Sequence, residues 1–192
     1  MQHSVKFFLF LPKINLLDME NQKSALMPSL SAGLILGIIL IVYSLLLYVV
    51  DLNENVWLAS ISYVITAVVL YFAIINFRDK EQNGFLSYGK GVGVGTLIGF
   101  FASILLAIFT YIYVSYIDPG VLEEAIIKAE ESILEQNPNI GDAELEQAIG
   151  IAEIFTSPVM MTVMTVFWYT MVSVVFSLLI SIFAKHEDNN IA

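Results

Sequence analysis

The sequence contains no cysteine and only two histidines, His3 and His186, both close to the chain ends. The first absence excludes a disulfide framework, a thiolate nucleophile and a cysteine-ligated metal. The second leaves a histidine-based metal site or catalytic triad without its parts. Basic residues are also scarce, with eight Lys and Arg against eighteen Asp and Glu. No basic patch exists to neutralise phosphates, so nucleic acid is not expected as a partner. The run Gly91-Val92-Gly93-Val94-Gly95 is rich in glycine but lacks the Lys-Ser/Thr of a phosphate loop. Neither a cofactor nor an enzymatic activity is expected.

The most consequential absence is local. Four apolar runs, roughly 28–50, 56–77, 91–117 and 158–184, hold no Asp, Glu, Lys, Arg or His. At about 1.5 Å per residue, each is long enough to cross a hydrocarbon core of about 30 Å as a helix. A soluble domain could not hide the apolar surface of a chain that is 58% hydrophobic, whereas a bilayer can. The expected fold is all-α: a polytopic membrane protein with four transmembrane helices and an acidic helical hairpin between spans three and four. It divides into an N-terminal tail (1–27), a membrane domain (28–184) that includes the loop 118–157, and a C-terminal tail (185–192). The same absence of charge argues against an ion-coupled pump, which ordinarily places a carboxylate or histidine in the bilayer.

The charges that remain are divided by compartment. Lys6, Lys13, Lys23, Arg78, Lys80, Lys90 and Lys185 fall on one side of the spans, and only Lys128 falls on the other. The positive-inside rule puts both termini in the cytoplasm. Twelve acids accompany Lys128 on the outer side, ten of them in the loop 118–157.

Residues 1–18 carry a short apolar patch, Phe7–Leu11, that is too short to span. They are expected to be loosely held outside the fold, and Met19 is an alternative start to Met1. Further on, the connection 51–55 is so short that spans one and two must be antiparallel neighbours. Gly84 offers a turn, and Ser87 suits the start of a helix about 46 Å long, which would tilt or begin among headgroups. In the long loop, Asp118 and Pro119 form a helix start, and Leu122, Ile126, Ala129 and Ile133 recur at helical spacing. Asn137-Pro138-Asn139-Ile140-Gly141 breaks that helix, and Asp142 opens a second with Leu145, Ala148, Ile149, Ala152 and Phe155 on one face. The apolar faces are expected to pack together or onto the bilayer surface, with the acids solvated.

Two stripes stand out within the spans. Span three carries Gly91, Gly95, Gly99, Ser103 and Ala107 at i+4 spacing, and span one carries Ser29, Gly33 and Gly37. Such ridges let helix backbones approach closely in lipid. They serve either packing of spans one and three within the chain, or a homo-oligomer seam or a gliding contact in a moving protein. Span four carries Thr165, Tyr169, Ser173, Ser177 and Ser181, again at i+4. These hydroxyls either bond back to helix carbonyls and neighbouring helices or line a polar path. Trp168 and Tyr169 lie near mid-membrane, so their polar tips need partners, and Tyr169 should face the bundle. Tyr48, Trp57, Tyr111, Tyr113 and Tyr116 read as an aromatic belt at the outer boundary.

Taken in order, these features resemble one family. The loop Asn83-Gly84-Phe85-Leu86-Ser87-Tyr88-Gly89-Lys90 enters a glycine-ridged span, which exits through Tyr116-Ile117-Asp118-Pro119. An acidic helical loop follows, and Ser157-Pro158 opens the last span. Over roughly Met19 to Lys185, the pattern is similar to that of the domain of unknown function 4199 family of small bacterial membrane proteins. The resemblance implies four spans and a bacterial inner membrane, and supplies no activity. The expected function is a non-catalytic accessory or scaffold acting through the hairpin on a membrane or periplasmic protein, with membrane lipid around the spans. The alternative is a small transporter or channel with its path along span four.

The orientation can be checked with single cysteines, Glu131→Cys and Asn190→Cys, and an impermeant thiol reagent. Intact spheroplasts should label at position 131 and not at 190. The reverse pattern would refute cytoplasmic termini.

Overall fold

The helix boundaries follow from local chemistry. The structure, a computed structural model, describes residues 24–52 and 55–186, so the expectations for residues 1–18 and for the start at Met1 or Met19 lie outside it. Among the described residues there are six α-helices: α1 (Leu26–Val49), α2 (Val56–Glu81), α3 (Tyr88–Ile112), α4 (Gly120–Gln136), α5 (Asp142–Thr156) and α6 (Pro158–Ala184). A π-helical turn, Tyr113–Ile117, continues α3. The Asn55 side chain caps α2 by accepting from the N–H groups of Trp57 and Leu58 at 3.0 and 3.3 Å. Ser157 does the same for α6, accepting from Met160, with Pro158 in the first turn, where its missing N–H leaves no bond unmade.

Among the described residues, four helices are long and apolar enough to cross a membrane: α1, α2, α3 with its π turn, and α6. The protein is an all-α, polytopic membrane protein. Several boundaries differ from expectation. The first helix begins at Leu26 and not at Pro28, and α2 runs on to Glu81, carrying Arg78 and Lys80 in its last turn. Ser87 occupies the cap position of α3 without a side-chain capping bond. Span three covers 30 residues from Tyr88, or about 45 Å. Asp118 does not cap α4, because the π turn redirects it: its N–H donates to Tyr113 O at 2.8 Å, and its carboxylate accepts from the Tyr113 hydroxyl at 3.3 Å. Pro119 takes the cap position, and Gly141 takes the one expected for Asp142.

The hub of the bundle is α3. It packs most extensively on α6 and next on α1, while α2 closes the bundle against α6 and α1. Packing is concentrated at one end. The buried residues of α1 lie between Ser29 and Leu40, those of α2 between Thr66 and Phe77, and those of α6 between Ser173 and Ala184. Leu36, Leu70, Ile74 and Ile98 are at most 1% exposed and form a closed cross-section there. Toward the α4–α5 end, the three outer helices bury no residue, and the bundle splays.

The packed end is also clamped. After α2 the chain turns through Asn83 and Gly84, both at positive φ (53° and 88°). Leu86 and His186 then exchange two backbone hydrogen bonds, of 2.8 and 2.9 Å, tying this connection to the end of α6. Arg78 donates to the Ala184 carbonyl, one of the orphan acceptors at the α6 terminus.

The helices α4 and α5 pack against each other across the break at 137–141. Neither helix holds a buried residue. Ile126, Ile133, Leu145 and Ile149 are half-buried, whereas Phe155, expected on the same face, is exposed. Its register places it beside Ile151 and Ile154, which are exposed as well. Two slender helices have too few neighbours to cover more than one apolar stripe each.

Two glycine substitutions should move stability in opposite directions. Gly84→Ala forces a side chain into positive φ and should cost about 1–2 kcal/mol. Gly93 lies within α3 with no atom within 4 Å of an added Cβ. Gly93→Ala should gain up to about 1 kcal/mol by helix propensity. Thermal unfolding in detergent, monitored by circular dichroism, measures both.

Candidate functional site, a glycine–serine seam and a hydroxyl-lined cup

The two stripes meet each other. A Cβ added at Gly91 would lie 2.7 Å from Ser181 Oγ. One at Gly95 would overlap Ser177, and one at Gly99 would overlap the Cβ and Oγ of Ser173. Each step of four residues up α3 matches a step of four down α6, so the antiparallel register is held over three consecutive contacts. Ser173, Ser177 and Ser181 are at most 1% exposed. Ser177 donates to the Ser173 carbonyl, within the helix. Ser181 Oγ is buried with no conventional partner and lies against the Gly91 backbone, a geometry that suits a weak Cα–H···O contact. One step further along, the hydroxyls of Ser103 and Thr170 pair at 3.2 Å.

The ridge of α1 uses another face of α3. A Cβ at Gly33 would lie 2.7 Å from both Ile98 O and Phe101 Cβ, and one at Gly37 would lie 3.0 Å from Leu105. Spans one and three therefore do pack together, but the main ridge of span three is taken up by span four. Ser29, Ser103 and Ala107 are buried too, so both ridges are used within one chain.

Where the seam ends, the bundle opens into a cup of about 250 Å³ lined by all four spans. Its polar lining includes Tyr43, Ser62, Thr110, Tyr113, Thr165 and Tyr169. Leu40 and Leu106 lie at its deep end and belong to the packed core. Ser44 and Ala59 are exposed lining residues and mark its mouth. Tyr43 donates to the Leu58 carbonyl at 2.7 Å, joining α1 to α2. Thr165 bonds the Met161 carbonyl at 2.9 Å and approaches the Thr110 hydroxyl at 3.4 Å. The Tyr169 phenol interacts with the Ser62 side chain.

A family model described as "Protein of unknown function (DUF4199)" matches residues 31–186. The chain belongs to this family. The match takes in the seam, the cup and the hairpin, and begins twelve residues after Met19. No curated protein and no solved structure matches the chain.

The span-four hydroxyls thus divide into two groups. Ser173, Ser177 and Ser181 face glycines in a dry seam, whereas Thr165 and Tyr169 face the cup. As a continuous polar path the stripe is interrupted at the point where α3 and α6 close together. Tyr169 faces the bundle, as its phenol requires, and Trp168 reaches across to Tyr63, donating at 3.2 Å. Sequence reasoning missed Tyr43, Ser62 and Thr110, and placed Tyr113 in the belt. Tyr113 instead lines the cup, with its ring edge-on to Tyr48. Thr110 lies seven residues beyond Ser103, on the same helix face, and that heptad spacing was the available signal. Among the described residues, no three His, Asp or Glu side chains gather closely enough to hold a metal ion.

The seam generates a compensation test. Gly99→Ala should cost about 1–3 kcal/mol, the scale of overpacking. Ser173→Gly in the same chain removes the overlapping atoms and should restore most of the lost thermal stability. If Gly99→Ala leaves the melting temperature in detergent unchanged, the two helices do not meet at these residues.

Proposed function

We propose that this protein is a non-catalytic accessory or scaffold of the bacterial inner membrane, with cytoplasmic termini and a periplasmic hairpin that engages a membrane or periplasmic protein. The observation that carries the reading is the closed cross-section at the packed end. Leu36, Leu70, Ile74 and Ile98 fill the bundle there, and the three seam serines are sealed against backbone. A protein built this way favours holding over conducting. The hairpin supports the second half of the reading, since Ile151, Ile154 and Phe155 are each more than half exposed. They follow helical i, i+3, i+4 spacing, so they form a contiguous patch separate from the stripe turned toward α4. The surrounding carboxylates keep that patch in water until a partner covers it.

The transport alternative rests on Thr165 and Tyr169, which line the cup. It requires the seam to open, because the core below the cup leaves no passage.

A photo-crosslinking amino acid placed singly at Ile151, Ile154 and Phe155 in the native host tests the proposal. Discrete protein adducts should form there and not at Glu131 or Glu144. Adducts to lipid alone at all three positions would overturn it, and solute flux through reconstituted proteoliposomes would favour transport.

A further inference from the structure

We propose that the cup is a binding site for one uncharged amphiphile carrying a hydrogen-bond donor, such as an alcohol with a short apolar chain. Its size admits a small molecule: at about 30 Å³ per water in the liquid, a volume of 250 Å³ would otherwise hold about eight waters. Its chemistry excludes anions. The lining contains no Lys, Arg or His, and the carboxylate bonded to its Tyr113, that of Asp118, is a like charge, so an anion lowered between the apolar helices loses its hydration uncompensated.

The state of the hydroxyls sharpens the class. A hydroxyl has one proton to give and two lone pairs to accept with. Tyr43 gives its proton to Leu58 O, Ser62 to Ala59 O and Thr165 to Met161 O. Tyr113 gives its proton to the Asp118 carboxylate. Inward of Ser44 at the mouth, four lining hydroxyls are therefore committed as donors, and what these four offer a ligand is acceptor capacity. A ligand with an O–H or an amide N–H satisfies them, whereas an ether or ester of the same shape does not. Leu40, Leu47, Leu106 and Phe109 complete the lining with apolar surface for the chain of the ligand. The floor formed by the core means that entry and exit share one mouth, so the site binds without conducting.

The test uses the full chain in lipid nanodiscs and three photoactivatable diazirine probes of equal length: octanol, octyl methyl ether and octanoate. The octanol probe should label cup residues saturably, competed by unlabelled 1-octanol. It should exceed the ether by about fivefold to tenfold, the worth of one net hydrogen bond. The octanoate should mark lipid-facing positions only. Thr165→Val with Ser62→Ala keeps the shape and removes two acceptors, so the preference for alcohol over ether should fall toward one. Ala59→Phe at the mouth should abolish cup labelling while leaving lipid-facing labelling unchanged. Competition by glycerol identifies a water-borne ligand, and competition by monooctanoylglycerol a membrane-borne one. Equal labelling by alcohol and ether, labelling that does not saturate, or octanoate in the cup overturns the proposal.

Discussion

Inside a bilayer, helices gain nothing by hiding apolar side chains from one another, because lipid tails are as apolar as leucine. What holds two spans together is the closeness and regularity of their contact. In this protein that contact is between α3 and α6, where Gly91, Gly95 and Gly99 leave room for Ser181, Ser177 and Ser173. A side chain at any of these three glycines would push against the serine that faces it. The remaining arrangement follows: α1 lays Gly33 and Gly37 on another face of α3, and α2 fills the remaining side with Leu70, Ile74 and Phe77.

The same constraint explains why the bundle is asymmetric. The glycine–serine contacts end before Ser103 and Thr170, and beyond that pair, apart from the Thr110–Thr165 approach, the lining carries Phe109, Tyr113 and Tyr169. Rings of that size cannot interdigitate at glycine distances, so the helices diverge and a cup forms between them. Tyr43, Ser62 and Thr165 remain stable there because each bonds a carbonyl of its own or a neighbouring helix. At the opposite end, the Leu86–His186 pairing and the Arg78 contact with Ala184 hold the helix ends together. One end of the protein is thus closed and the other open.

Much of this was legible in the chain. Charge-free runs of membrane-spanning length announced four spans, because burying an unpaired charge in lipid is prohibitively costly. The break at Asn137–Gly141 and the glycine turn at Gly84 were legible because proline and positive φ act locally. The serine stripe and the glycine ridge were both visible as i+4 repeats. Their mutual pairing was not, since spacing along one helix says nothing of which neighbour it meets. The cup was hidden for a related reason: Tyr43, Ser62 and Thr110 are unremarkable within their own helices and become a site only when four helices bring them together.

The division between the two kinds of information is therefore physical. The sequence by itself determined that the chain is all-α, how many times it can cross a membrane, and which faces of its spans are smooth or polar. These depend on transfer energies and backbone preferences that act on one segment at a time. Only the tertiary structure decided that span three's ridge meets span four, that the hydroxyl stripe is split into a dry seam and a cup, and that Phe155 lies outside the hairpin's inner face. Those outcomes depend on steric fit among several helices at once, and no single helix carries that information.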